Sequence, residues 1–266
     1  MQRAKPYASS PSVVAANCRA LGMTVPSVAF GFLDRSGTKL TDYSGWGRHG
    51  TTSGMPTTAW NTAGDTGPAL QFDGSDDSVP FGTTQFITTG KPWTIHARVN
   101  LSSYSNYPCI CRLKTEDATS GFELGLSANG GYVGIRCGSG FGGTWANAGT
   151  PTSPTAGSWF DLIVTYNGLT SSTYTNFNFY VNGVLQTQDH KSIYSLITNT
   201  NDLGVGGTFW TGGMSQFEVW SDVCATSAQA ARIARDPGQI YRRRAPPPQT
   251  KRNAVATTAY RGMFAG

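Results

Sequence analysis

Glutamate is scarce in this sequence: 266 residues contain only Glu116, Glu123 and Glu218. Charged residues of all kinds reach 13%, where about 25% is usual for soluble domains. The polar surface must therefore come from uncharged Ser, Thr, Asn and Gly. Cysteine is limited to Cys18, Cys109, Cys111, Cys137 and Cys224. The odd number and the lack of a CxxC pair argue against a zinc site or a full disulfide framework. Buried free thiols are expected. One bridge stays open, because Cys109 and Cys111 share a strand face that could approach Cys137. The three histidines, His49, His96 and His190, show no metal or triad spacing, so they read as turn or surface residues. No apolar run approaches the ~18 residues of a membrane-spanning helix. The N-terminus MQRAKPYASSPSVVAANCRALG has no signal-peptide core either,. Synthesis in a cytoplasm without secretory export is expected, with no membrane partner.

Glycine and proline are plentiful, at 33 and 14 residues, which fits many turns between short strands. From Trp93 to Leu101, apolar Trp93, Ile95, Ala97, Val99 and Leu101 alternate strictly with polar residues. A period of two over nine residues predicts a half-buried antiparallel strand. Trp159–Tyr166 (WFDLIVTY) is nearly continuous and rich in aromatic and β-branched residues, as a central strand covered on both faces would be. Asn182-Gly183 between FYV and VLQ predicts a two-residue hairpin of type I′. About ten such short strands indicate a sandwich. One helix is expected, opening at Thr226 with a capping box to Gln229 and stopped by Pro237-Gly238; it would plug one end of the sandwich. Residues 1–28 show no sustained period and read as an irregular N-terminal arm. Residues 242–266 read as a basic, Pro-rich C-terminal arm. Between Arg232 and Gly266 stand eight basic residues and one acid, a local +7 against +5 for the whole chain. Any electrostatic partner therefore meets this end first.

Several segments, taken in order, resemble the laminin G-like branch of the concanavalin A-like lectin/glucanase superfamily. TDYSGWGRHGT (Thr41–Thr51) is similar to that family's Asp-x-Ser-Gly-Asn loop, with Trp46 where Asn is usual. GPALQFDGSDDSV (Gly67–Val79) is similar to its Gly-x-Ala-Leu-x-Phe-Asp-Gly-x-Asp-Asp-x-Val segment almost position for position. KPWTIHARV, GSWFDLIVTYNG and FYVNGVL resemble three further strands. LGVGG through GGMSQFEVWSDVCATSAQAARI resembles the closing strand and its helix. The resemblance implies an all-β fold: a two-sheet antiparallel jelly-roll sandwich over residues 29–241, with one short C-terminal capping helix and irregular arms at both ends. The end of the domain, with DPGQIYRRR, is similar to the ends of such domains in tailed-bacteriophage virion proteins.

Candidate sites follow from these readings. Glycoside hydrolysis would need two carboxylates about 5–9 Å apart, and none of the three glutamates stands in the Glu-x-Asp-x-x-Glu pattern that glucanases of this fold carry; Glu123 and Glu218 are the remaining candidates, and an enzyme is disfavoured. Trp60, Trp145 and Trp210 lie in Gly/Thr/Asn-rich stretches, where an indole either stacks on a sugar or packs within a loop. Asp73, Asp76 and Asp77 form the one acidic cluster. They suit a structural calcium ion or ordinary turns, and calcium is the sole cofactor candidate. Gly138, Gly140 and Gly143 spell GxGxxG without a following helix, which reads as a loop. Arg242, Arg243, Arg244, Lys251 and Arg252 suit a docking arm on an acidic protein surface. Nucleic acid is disfavoured, because no aromatic residues are interleaved with the charges. The expected role is a non-enzymatic structural protein of a bacteriophage virion, decorating the capsid or associated with the tail. It would be made in the host cytoplasm, with other virion proteins such as the major capsid protein, or further copies of itself, as partners. The alternative is a module that binds a host-surface glycan.

Overall fold

The alternating stretch Trp93–Leu101 lies in the middle of a sheet. In the computed structural model, which describes residues 10–56, 59–64, 67–82, 90–103, 108–114, 121–126, 132–137, 145–149, 154–169, 176–189, 203–206 and 210–242, it is strand β7. It pairs antiparallel with β12 (Trp159–Tyr166) on one side and β17 (Thr211–Trp220) on the other. The sheet has eight strands, in the order β14 (Val184–Leu185), β13 (Phe177–Val181), β12, β7, β17, β5 (Gly67–Asp73) and β4 (Trp60–Gly64), with β1 (Val28–Phe30) also on β17. A seven-stranded sheet runs β15 (Gln188–Asp189), β11 (Trp145–Gly149), β10 (Tyr132–Cys137), β9 (Gly121–Leu126), β8 (Cys109–Lys114), β16 (Leu203–Gly206) and β6 (Ser78–Pro80). The pair β2 (Lys39–Leu40) and β3 (Gly50–Thr51) forms a small ribbon. The described strands exceed the expected ten because several are two or three residues long, too short to leave a period in the sequence.

The two sheets enclose one apolar core. Trp93, Ile95 and Val99 meet Val79, Ile110 and Leu124 from the second sheet, all fully buried, in the face-to-face arrangement of a sandwich. Asn182 and Gly183 have φ of 51° and 78°, as the type I′ hairpin between β13 and β14 requires,. Within β17 the register shifts between Met214 and Gln216. Met214 and Phe217 both face the core although they are three residues apart, which plain alternation forbids. The extra residue of this bulge turns Gln216 and Glu218 to the outer face of the sheet.

That outer face is not solvated, contrary to the half-buried strand expected of β7. Thr94, His96 and Arg98 are at most 9% exposed, beneath a cap made from the two ends of the domain. At the N-terminal end, residues expected to be irregular form helix α1 (Pro11–Ala20), capped by the Ser10 side chain with Pro11 in its first turn,. At the C-terminal end, α2 (Ser227–Arg235) has the predicted Thr226–Gln229 capping box and is followed by a 3-10 turn at Gln239–Tyr241. Val14 and Cys18 of α1, Ile233 of α2 and Tyr241 pack with Ile163, Tyr180 and Trp220 of the sheet. Thus α2 lies on a sheet face rather than plugging an end of the sandwich. Cys18 and Cys224 are free thiols, and Cys109 and Cys111 are buried; the Cys137 side chain lies outside the described residues.

Candidate functional site

Register places four charged residues together beneath the cap. His96 is opposite Glu218 on β17, and Arg98 is opposite Asp161 on β12. The His96 ring bridges both acids, with Nδ1 2.5 Å from Glu218 Oε2 and Nε2 2.8 Å from Asp161 Oδ1. Arg98 donates to the other Asp161 oxygen. The Tyr241 hydroxyl closes the network from above by donating to Glu218 Oε1 at 2.5 Å. Two cations thus face two carboxylates, and the group is balanced in charge. Burial by itself lowers the affinity of the imidazole for its proton, but the charges and hydrogen bonds of Glu218 and Asp161 outweigh it. They hold the His96 pKa up at about 9,. Burial, reinforced by Glu218, pushes Tyr241 well above the ordinary phenol range and raises the Cys18 thiol to about 12. A cavity of about 10 Å³ lies beside the network, lined by His96, Gln216, Glu218, Trp220, Ile233 and Gly238; it has room for one water.

This cluster fastens the ends of the domain. Gln216 Oε1 accepts the Gly238 N–H at 2.9 Å. The Asn17 amide of α1 donates to the carbonyls of Gln239, Ile240 and Arg242 at 2.8–3.1 Å. Arg242, the first basic residue of the proposed docking arm, pairs with Asp236 at 2.5 Å. Helix α1 and residues 239–242 therefore lie side by side on the outer face of one sheet. Arg243, Arg244, Lys251 and Arg252 lie outside the described residues.

A second preformed feature is the loop after β2. Asp42 is 4% exposed, and its carboxylate accepts from Ala29 N, Ser44 N, Ser44 Oγ and Arg48 N at 2.7–3.0 Å. His49 Nδ1 accepts the Asp42 N–H, so it is the turn histidine expected. The loop displays Trp46, 64% exposed, with the Arg48 guanidinium 5.4 Å from its ring centre,. In the sequence, Trp46 stands out only as a departure from a family pattern. Its flanking glycines and polar neighbours were the available sign that it has no core to enter.

Of the three candidate tryptophans, two have described side chains. Trp210 is fully buried and packs edge-on against Phe72 with ring centres 5.9 Å apart, which takes its indole out of reach of a sugar. Trp60 is half-buried at the start of β4, and its N–H donates to Gly37 O at 2.8 Å. Trp145 opens β11, and its side chain lies outside the described residues, as do Glu116, the side chain of Glu123, His190 and the GxGxxG stretch. His96 is the correction among the histidines: it is neither a turn nor a surface residue but a buried bridge between acids. Glu218, 1% exposed beneath Tyr241, is closed off from a polysaccharide. Asp73, Asp76 and Asp77 do come together, each offering an oxygen within 4.8 Å of the others.

Two antiparallel sheets in this order, covered on one face by the domain's own ends, define a lectin-like jelly-roll domain. The chain belongs to the concanavalin A-like lectin/glucanases superfamily, whose family model matches residues 73–230. Among solved structures it is similar to domain 4 of AbnA, an extracellular GH43 arabinanase from Geobacillus stearothermophilus, in complex with arabinotriose. The TM-score is 0.58 at 16% identity, over 79% of this chain and 98% of that one. It is similar to the botulinum neurotoxin serotype D binding domain, with TM-score 0.59 at 12% identity over 80% of this chain and 52% of that one. It also resembles a Trypanosoma rangeli sialidase in complex with 2,3-difluorosialic acid, with TM-score 0.56 at 11% identity over 82% of this chain and 34% of that one. The chain thus spans about half of the toxin domain and a third of the sialidase. At these identities the likeness is one of fold. No curated protein matches the chain in sequence.

Proposed function

We propose that the protein is a non-enzymatic structural component of a tailed-bacteriophage virion, held on the particle by its two ends and presenting its lectin-like sandwich outward. The observation that carries this reading is the clasp of Asn17 on residues 239–242, which brings helix α1 and the start of the basic C-terminal segment to one face. The chain's excess of positive charge continues from that point. The cap side then faces an acidic surface on other virion proteins, such as the major capsid protein, and the seven-stranded sheet faces away. Capsid decoration suits one sandwich with arms better than a fibre, which would carry extended repeats. The test is truncation after Arg242. The shortened chain should keep its melting temperature and lose its retention on purified particles; full retention overturns the reading.

A second reading, recognition of a host-surface glycan by the outward sheet, is favoured by the likeness to an arabinan-degrading enzyme's domain solved with arabinotriose. It predicts saturable oligosaccharide binding in calorimetry, weakened by Trp145→Ala. A broad glycan panel without binding removes it.

A further inference from the structure

The loop between β2 and β3 holds a large apolar side chain in water. Trp46 stands at its tip between Gly45 and Gly47, whose φ values of 94° and 72° turn the chain sharply on either side,. The backbone there is fixed. The Trp46 N–H donates to Ser44 Oγ at 3.2 Å, Ser44 Oγ donates to Asp42 Oδ2, and the Arg48 N–H donates to the same oxygen. The Arg48 guanidinium lies over the indole and is itself tied to the Ser27 carbonyl at 2.6 Å,. An apolar ring left in water contributes nothing to the isolated fold, but a rigid one loses little entropy when a partner covers it.

The tip is continuous with the cap. The Tyr43 ring meets the Tyr241 ring edge-on at 6.0 Å, and a Cβ on Gly45 would stand 3.1 Å from the Cβ of Pro11, the first residue of α1. The segments that build this side are also the basic ones. Residues 1–56 contain six basic residues and two acids, and residues 232–266 contain eight and one; the stretch between them has twelve acids and six basic residues. Both acids of the first stretch are engaged locally: Asp34 accepts from Thr41, and Asp42 braces the loop. Arg19, Arg35 and Lys39 are exposed and form no ion pair with a described residue. We propose that Trp46 anchors a docking surface for an acidic protein, the indole entering an apolar pocket of the partner while the surrounding basic side chains meet its carboxylates. This names the contact within the docking reading above and rests on it. Gly45, Trp46 and Gly47 are all exposed, and such a projecting tip suits a protein better than a saccharide, whose sites are concave. Trp and Arg are also the side chains that dominate protein interfaces.

The test is rebinding of the full chain to purified particles lacking it, followed by co-sedimentation. Trp46→Ala changes an exposed side chain, so it should leave the melting temperature unaltered and weaken retention about tenfold or more. Trp46→Phe should restore part of the loss, and retention should fall as salt rises. The emission that acrylamide quenches in the free wild type and not in Trp46→Ala should become protected on docking. Equal retention of wild type and Trp46→Ala would overturn the anchor while leaving the docking reading intact; no retention of the wild type would remove both. Retention abolished by treating the particles with nuclease or glycosidase would assign the surface to nucleic acid or glycan, and would overturn the proposal too.

Discussion

At the scale of the residue, His96 has the greatest leverage. Its folded pKa of about 9 lies above the ordinary 6.5, so folding takes up a proton near neutral pH. The resulting stability is fully present below about pH 6.5 and is lost as pH rises through about 9. A shift of that size corresponds to roughly 3 kcal/mol. Urea unfolding followed from pH 6 to 10 should show this decline, and His96→Gln should remove it. The buried Cys18 thiol lowers stability only above the pH at which an unfolded thiol ionises, so the difference between the two proteins isolates the histidine. Equal slopes for both would contradict the assignment. A single sequence could not reveal this role, because the partners of His96 stand 65 and 122 residues away. Burial of Trp210 was illegible for a related reason: a Gly/Thr-rich neighbourhood reads as a loop, yet its indole fills the space beside Phe72.

At the scale of the element, strands were legible and their coverings were not. Alternation reports which residues of Trp93–Leu101 share a face, and it did so correctly. It carries no information on what lies over the polar face, which here comes from α1 and residues 236–242. The hairpin at Asn182-Gly183 and the capping box at Thr226 were readable because each is a local device with its own backbone requirement. Helix α1 has only ten residues and a weak apolar stripe, so its sole sign was Ser10 before Pro11. Its docking rests largely on Asn17, whose one amide serves three carbonyls. Asn17→Ala should cost about 1–3 kcal/mol through the buried acceptors it leaves unpaired. Amide exchange at residues 239–242 should speed up while that of β7 and β12 stays unchanged. A uniform change across the sandwich would show that Asn17 supports the whole fold rather than the clasp.

At the scale of the whole molecule, the superfamily was legible from an ordered set of segments, none of which suffices alone, and the sandwich follows it. The candidate site was legible only in part. The acidic cluster assembles as its spacing in the turn suggested, whereas Trp210 is buried in the core and the side chain of Trp145 lies outside the described residues. Among the described residues the exposed indole is Trp46, at the rim of a loop braced by Asp42. The proposed virion role requires one orientation, with the face beneath α1 and α2 turned toward the assembly and the seven-stranded sheet turned away from it. Electron cryomicroscopy of the native particle, at a resolution that traces the chain, tests this most directly. Density should run from residues 10 and 242 into neighbouring subunits on the cap side, with strands β8 to β11 facing solvent. A particle in which those strands are the buried surface and the cap faces outward would contradict it.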